Sequence, residues 1–229
     1  MHTFNLRVFE INTRIWLRRF DTAKKKAKLL DVPNEYWKNL VDLGFQAVWL
    51  MGIWKTLPEY VNEFCMKEYL IDEYTKALND WTENDVIGSP YAIDKYEFDP
   101  SITSAKDFLK FKEKLNTLGL LVILDFIPNH FHAYSSVVRE HPEIFLQGNE
   151  NLLNSDKHTY YKFNNHILAH GRDPFFPAWE DTAQLNYFNP DTRKFMISQL
   201  EHISKFSDGV RCDMAMLIVN NIFYNTWTG

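Results

Sequence analysis

A chain of 229 residues, 45% of them hydrophobic and 24% charged, is long enough to bury a full hydrophobic core. Its net charge of −5 gives no electrostatic reason to expect nucleic acid or an anionic lipid surface as a partner. No run of about 18 apolar residues occurs, so neither a membrane-spanning helix nor a membrane partner is expected.

The N-terminal residues and the cysteines indicate the cellular compartment of the protein. The N-terminal residues MHTFNLRVFE lack the cationic start and apolar stretch of a secretory signal. The chain contains two cysteines, Cys65 and Cys212, which do not make a disulfide framework. Both observations predict a cytoplasmic protein.

The first half of the chain alternates between predicted strands and helices. Residues 4–11 predict a strand, and residues 33–44 predict a helix that ends at Gly44. The nearly continuous apolar run at 46–53 is typical of a strand that is buried on both faces. A long excursion follows, with a predicted helix near 58–78 and a turn-rich stretch after it.

The second half continues the alternation. Its predicted regular elements are, in order, a helix over 105–118, a strand over 120–128, a helix from 189 to about 205, a strand over 208–213 and a helix over 217–227. Ser104 can cap the first of these helices, and Pro190 takes a favoured first position in the second. The long segment 131–188 is predicted to be irregular.

This order of elements predicts an α/β fold built on a parallel sheet. Four β/α units are too few to close an eight-stranded barrel, which takes roughly 250 residues. The units are therefore either part of such a barrel or a complete, doubly wound sheet of four strands. In both folds the site lies at the carboxyl ends of the strands, so polar residues there are the candidates.

An arginine and an aspartate lie two residues apart in the fourth predicted strand. Arg211 and Asp213 therefore point to the same face of the sheet. A guanidinium beside a carboxylate lowers the pKa of the carboxyl group, so Asp213 can serve as an ionised nucleophile. A structural ion pair is the alternative, and these two residues alone do not decide between the two roles.

Polar residues also follow the second and third predicted strands. Asp125 ends the third strand, and Asn129 and His130 follow it; His130 can donate to a ligand oxygen or act as a base. His130 and His132 have no carboxylate at ligand spacing, which argues against metal catalysis. After the second strand, Tyr91 is either a platform for a sugar ring or a packing residue.

Four segments, in this order along the chain, resemble motifs of the α-amylase family of glycoside hydrolases. GSPYAIDKY (88–96) resembles the tyrosine-bearing loop after the second strand, and DFIPNH (125–130) resembles the D-x-x-x-N-H motif of the third. AQLNYFNPD (183–191) resembles the short motif before the third helix, and GVRCDMAM (209–216) resembles the G-x-R-x-D-A motif of the fourth strand. The resemblance covers essentially the whole chain.

The resemblance implies the first four β/α units of a TIM-type (β/α)₈ barrel, incomplete, with an irregular domain inserted after strand three. The implied division is 1–130 for the first part of the barrel, 131–188 for the inserted domain and 189–229 for the continued barrel. It also implies retaining cleavage of α-glucosidic bonds, with α-glucans or oligosaccharides as substrates.

Each matching residue receives an implied role. Asp213 would be the nucleophile that forms a glycosyl-enzyme intermediate, and Arg211 would keep it anionic. His130 would bind hydroxyl groups of the sugar under attack, and Tyr91 would stack beneath that sugar. Asp125 would be a supporting carboxylate.

The sequence departs from the family's pattern at several positions. Met216 and Leu217 stand where glucan-cleaving members often have lysine and histidine, so the resemblance does not point to starch specifically. Asn129 matches a residue that often helps to bind calcium beside the inserted domain, but Gln184 stands where an acidic ligand is usual. Calcium is the one cofactor that the resemblance suggests, and this site lacks one of the carboxylates that calcium prefers. Lys95 stands where the family usually has aspartate, with Asp94 one place earlier.

The family's general acid is a glutamate after the fifth strand, a region without a counterpart in this sequence. We therefore expect the N-terminal part of a glycosidase that is inactive, or nearly so, by itself. The alternatives are a transglycosylase or isomerase on the same scaffold, and a non-catalytic half-barrel that binds carbohydrate. A half-barrel also exposes the edge of its fourth strand, which predicts self-association.

Overall fold

The computed structural model describes residues 5–228, which fall into two compact units. Unit 1 consists of the chain up to Lys55 with Tyr96–Pro128 and Arg193–Ala215, and unit 2 consists of Thr56–Lys95, Asn129–Thr192 and the chain from Met216. The predicted inserted segment 131–188 lies inside unit 2. The predicted division of the chain into domains stays a prediction.

The described residues form ten strands and nine α-helices. The strands are β1 Val8–Asn12, β2 Ala47–Met51, β3 Trp54–Thr56, β4 Ile93–Phe98, β5 Leu121–Phe126, β6 His130–His132, β7 Tyr160–Phe163, β8 His166–Ala169, β9 Thr182–Gln184 and β10 Gly209–Cys212. The helices are α1 Thr13–Trp16, α2 Asn34–Asp42, α3 Val61–Cys65, α4 Glu68–Ala77, α5 Ala105–Thr117, α6 Ser136–Glu140, α7 Glu150–Ser155, α8 Pro190–Ser204 and α9 Asn220–Thr228.

Unit 1 contains a four-stranded parallel sheet in the order β1-β2-β5-β10. These are the four strands predicted from the apolar runs, although residue 4 of the first predicted strand lies outside the described residues. The predicted α/β class with a parallel sheet is therefore confirmed. Within this sheet, the order of the four strands in space is the same as their order along the chain, as expected when helical connections join parallel strands.

The two faces of this sheet differ in burial. On one face Val48, Leu50, Val122 and Leu124 are fully buried. The other face carries Trp49, Ile123 and Arg211, which are half-buried, and we call it the open face. Alternation of side chains along each strand places Asp125 on the open face as well, since it is two residues beyond Ile123.

Helix α5 shows how local sequence signals fix an element against the sheet. The hydroxyl of Ser104 accepts a hydrogen bond from the backbone N–H of Asp107 at 3.2 Å, which is the predicted N-terminal cap. Phe108 and Phe111 are fully buried, so one face of the helix joins the core. Gly119 follows the helix with φ of 87°, a conformation that favours glycine.

Unit 2 contains more regular structure than the sequence predicts. The segment 131–188 was predicted to be irregular, yet β6 pairs with β9 and β7 pairs with β8, both antiparallel. Each of these strands has three or four residues, which is too short to show a clear periodicity.

The predicted helix near 58–78 is interrupted. Helices α3 and α4 are separated at Lys67, whose ψ of 147° is extended rather than helical. The ammonium group of Lys67 forms an ion pair with Glu180 in the same unit, which ties the break to a distant part of the chain. Among the described residues, no helix is long and apolar enough to cross a lipid bilayer.

Candidate active site

Three ionisable side chains meet at the carboxyl ends of β5 and β10 in unit 1. The guanidinium of Arg211 forms an ion pair with Asp213 and lies 3.4 Å from Oδ1 of Asp125. The strand register explains the meeting, because Arg211 is the direct partner of Asp125 on the neighbouring strand. The backbone N–H of Asp213 also donates to the carbonyl of Phe126 at 2.8 Å, which extends the pairing past the end of β10.

Two tryptophans hold Asp125, and sequence reasoning missed both. The indole N–H of Trp49 donates to Oδ1 of Asp125 at 3.1 Å, and that of Trp54 donates to its backbone carbonyl at 2.8 Å. Both tryptophans lie in or just after the apolar run of the second strand, where the sequence indicates only core packing. A polar role for them is visible only once β2 is aligned with β5.

Burial governs the protonation of both carboxyl groups. Burial raises the pKa of Asp125 to about 7, against the Trp49 hydrogen bond and the charge of Arg211, which lower it. Burial also raises the pKa of Asp213, and Arg211 offsets only part of this. Arg211 lowers the pKa of Asp213, as expected from the sequence, but desolvation of the carboxylate outweighs this attraction and the net change is a rise.

His130 and Asn129 are neighbours in unit 2 and are both buried. The side-chain amide of Asn129 lies 3.2 Å from Nδ1 of His130, and because that amide nitrogen can only donate, Nδ1 is the acceptor. The proton of the neutral imidazole is therefore on Nε2. Burial lowers the pKa of His130 to about 4, so this side chain is a hydrogen-bond donor rather than a base at neutral pH.

The residues around Asn129 do not fit a calcium ion. The side-chain amide nitrogen of Gln184 donates to Oδ1 of Asn129 at 3.1 Å, to its carbonyl at 3.0 Å and to the carbonyl of Leu185 at 3.1 Å. Three oxygens thus converge on an N–H₂ group, whereas calcium needs six to eight oxygens that include carboxylates. Among residues 5–228, no group of three or more His, Cys, Asp and Glu is placed to hold a metal ion.

Residues of the tyrosine-bearing loop (88–96) differ in their burial. Tyr91 is half-buried, in the segment that leads into β4. Asp94 is buried, and its carboxylate accepts from the backbone N–H of Ser136 at 2.7 Å. The neighbouring Tyr96, which belongs to unit 1, is also buried and bonds through its hydroxyl to both backbone groups of Ile127.

Unit 2 also contains an open cleft with a volume of about 910 Å³. Its lining includes the aromatic residues Tyr69, Trp81, Phe176 and Trp179. The ring of Trp179 also packs against His130, with 5.5 Å between the ring centres. Flat aromatic surfaces of this kind suit the apolar faces of sugar rings.

The structure therefore groups the predicted site residues in two sets. Asp125, Arg211 and Asp213 contact one another in unit 1. Asn129 and His130 contact one another in unit 2, and Tyr91 belongs to the same unit.

Comparison with solved structures identifies the fold. A noncanonic maltogenic α-amylase from Thermotoga neapolitana matches with a TM-score of 0.62 and 25% identity, over 100% of this chain and 43% of its own. An α-amylase from Lactobacillus plantarum matches with a TM-score of 0.61 and 22% identity, over 97% of this chain and 41% of its own. The predicted resemblance to the α-amylase family is confirmed.

A third match extends the comparison within α-amylase-like hydrolases. The cyclic α-maltosyl-(1→6)-maltose hydrolase from Arthrobacter globiformis has a TM-score of 0.60 and 13% identity, over 96% of this chain and 47% of its own. The present chain spans less than half the length of each of these three α-amylase-like proteins. No family model and no curated protein matches its sequence.

Proposed function

We propose that the chain is part of a retaining glycosidase that acts on α-glucans or maltooligosaccharides, with Asp213 as the nucleophile. The observation that carries the proposal is the Arg211–Asp213 ion pair at the carboxyl end of β10, in a chain with the fold of α-amylases. The four parallel strands are, in this proposal, the first four of a (β/α)₈ barrel. The open face of the sheet then lines the barrel interior.

Asp213 has the chemistry that the first step of retaining cleavage needs. An oxygen of its carboxylate attacks the anomeric carbon, the glycosidic bond to the leaving sugar breaks, and a covalent glycosyl ester forms. Water then breaks the ester and restores the carboxylate. Burial raises the pKa of Asp213, and Arg211 offsets part of that effect, which favours the ionised form that attacks.

His130 and Tyr91 of unit 2 are proposed to have the carbohydrate-binding roles that the resemblance implies. A neutral His130 with its proton on Nε2 donates a hydrogen bond to a sugar hydroxyl, and Tyr91 offers a ring for stacking. Asp125 is proposed to support the site through its contacts with Arg211 and Trp49.

A second carboxyl group is needed as general acid, about 5–5.5 Å from the nucleophile. Asp125 is proposed as a supporting carboxylate that contacts Arg211 and Trp49, so we propose that the acid belongs to a part of the protein outside these 229 residues. The chain by itself is then expected to cleave natural glucans poorly, because loss of a general acid costs about 10²–10⁴-fold in rate.

A glycosyl fluoride tests the nucleophile without the general acid, because fluoride leaves without protonation. The chain is incubated with a fluorosugar α-glucosyl fluoride that forms a slowly hydrolysed ester, and mass spectrometry locates the label. Labelling is expected on Asp213 and is lost in Asp213→Asn, while Asp72→Asn, at an exposed carboxylate, labels normally. A label on another residue, or none on a folded chain, contradicts the assignment.

A non-catalytic carbohydrate-binding role is the second candidate, favoured by the aromatic cleft of unit 2. The two candidates differ in their dependence on Asp213. Calorimetric affinity for maltooligosaccharides that is unchanged by Asp213→Ala, together with absence of labelling, supports the binding role. With a longer form of the protein, product analysis distinguishes hydrolysis from transfer to a second sugar.

A further inference from the structure

One guanidinium group serves two carboxylates in unit 1. Nη1 of Arg211 contacts Oδ1 of Asp213 and also lies 3.4 Å from Oδ1 of Asp125. The side chain of Asp125 is 2% exposed and that of Asp213 is 7% exposed, so Asp125 has lost more hydration and gains more from a nearby cation. When it is ionised, Asp125 therefore competes with Asp213 for the same guanidinium.

The indole of Trp49 contacts two members of this group. Its N–H donates to Oδ1 of Asp125 at 3.1 Å, which is the same oxygen that Arg211 approaches. The Cζ atom of Arg211 lies 4.9 Å from the centre of the Trp49 ring, within the range of a cation–π contact. Trp49 therefore supplies a hydrogen bond to Asp125 while its ring face supports the guanidinium.

The strand register accounts for this position. Trp49 is the partner of Ile123, and Ile123 is the partner of Gly209 on the next strand. Residues two positions further along β5 and β10 are Asp125 and Arg211, on the same face. Trp49 is thus diagonal to Asp125, within reach of a long aromatic side chain.

We propose that Trp49 is a positioning residue that directs Arg211 to Asp213, because its N–H occupies Asp125 and its ring supports the guanidinium. Its importance for catalysis rests on the proposed function, since an arginine directed at Asp213 affects the reaction only if Asp213 is the nucleophile. The positioning itself can be measured without turnover.

NMR titration of the carboxyl carbons of aspartate in this chain tests the proposal with Trp49→Phe, which keeps a ring and removes the N–H. Arg211 is then expected to turn towards Asp125, and the pKa of Asp213 rises. If Trp49 only forms a local hydrogen bond to Asp125, the pKa of Asp213 is expected to fall instead. Loss of the N–H alone raises the pKa of Asp125, and weaker repulsion from a more neutral Asp125 lowers the pKa of Asp213.

Trp54→Phe is the matched control. It removes an indole N–H that is donated to the backbone carbonyl of Asp125 at 2.8 Å, and it is expected to leave the pKa of Asp213 unchanged. A folded Trp49→Phe variant with an unchanged or lowered pKa of Asp213 overturns the proposal. Circular dichroism confirms that each variant is folded.

The wild-type chain provides a second measurement if Trp49→Phe does not fold. The indole N–H resonance of Trp49 is expected to shift with the titration of Asp125, and a resonance that follows no carboxyl group overturns the proposal. The labelling of Asp213 separates this inference from the proposed function. If Asp213 is labelled but its pKa does not rise in Trp49→Phe, only the positioning role of Trp49 is refuted. If the pKa of Asp213 rises but Asp213 is not labelled, only its role as nucleophile is refuted.

Discussion

The side chain of Gln184 donates to Asn129 through one amide nitrogen, reaching both Oδ1 and the backbone carbonyl at 3.1 and 3.0 Å. Both residues are buried, and Gln184 belongs to β9, which pairs with β6. A neutral amide therefore joins the two chain segments at the place where the resemblance to α-amylases suggests a cation.

This arrangement predicts that the wild-type melting temperature does not change when calcium is added or chelated. Gln184→Glu replaces the donating N–H₂ group with an oxygen and is expected to destabilise the calcium-free chain by about 2 kcal/mol or more. Added calcium is expected to restore part of that loss, because the variant supplies the missing carboxylate. Thermal melts with calcium and with a chelator measure both effects.

Gln147→Glu is the control for this experiment. Gln147 is exposed, and its amide also donates to a backbone carbonyl, that of Pro142, at 2.7 Å. Its replacement is expected to cost little and to show no response to calcium. A wild-type chain that calcium stabilises contradicts the assignment of Gln184 as a substitute for the ion.

Asp125 predicts a specific dependence of stability on pH. Its pKa in the folded chain, about 7, lies above the ordinary value of 3.8, so its contribution to stability is fully present below about pH 4 and is lost as the pH rises through about 7. Asp125→Asn does not titrate. Between about pH 4 and pH 7, the free energy of unfolding of Asp125→Asn is expected to increase relative to that of the wild type by at most about 4 kcal/mol, as measured by urea unfolding. A constant difference between the two proteins contradicts the raised pKa.

His130 is predicted to stay neutral over the physiological range. Burial lowers its pKa to about 4, and Asn129 donates to its Nδ1. Nitrogen NMR of the imidazole is expected to show one tautomer, protonated at Nε2, from neutral pH down to about pH 5. Asn129→Ala is expected to mix the tautomers, because it removes the donor to Nδ1. An imidazolium signal near neutral pH contradicts this prediction.

Strand β10 is an edge of the sheet in unit 1, which bears on the predicted self-association. Val210 is 36% exposed and Cys212 is exposed as well, so the strand has an apolar outer surface. Analytical ultracentrifugation under reducing conditions is expected to show oligomers that Val210→Lys weakens. Ile197→Lys, at an exposed apolar position on α8, is expected to leave association unchanged. A wild-type chain that is monomeric at all concentrations contradicts this prediction.

Several elements could be predicted from the sequence because their signals are local. The apolar runs at 46–53 and 120–128 indicated β2 and β5, and Gly44 marked the end of α2, where its φ is 85°. The spacing of Arg211 and Asp213 was sufficient to place both on one face, and their ion pair confirms it. Each of these features depends on residues close together in the chain.

Other features depend on distant residues and were not predictable. The break between α3 and α4 is associated with Lys67, whose partner Glu180 is far along the chain. The net rise in the pKa of Asp213 depends on how deeply the fold buries it, which the presence of Arg211 two residues earlier does not reveal. Trp49 lies in an apolar run and indicates packing until its partner Asp125 is located.

The open face of the sheet links folding to chemistry. Any polypeptide that covers Trp49, Ile123 and Arg211 also shields Asp213 from water, so under the proposed function completion of the core and desolvation of the proposed nucleophile occur in one step. If the complementary piece of such an enzyme were expressed separately and mixed with this chain, thermal stability and sugar cleavage would recover over the same range of concentration. In that mixture the rate of sugar cleavage would measure how much of the two-part complex has assembled.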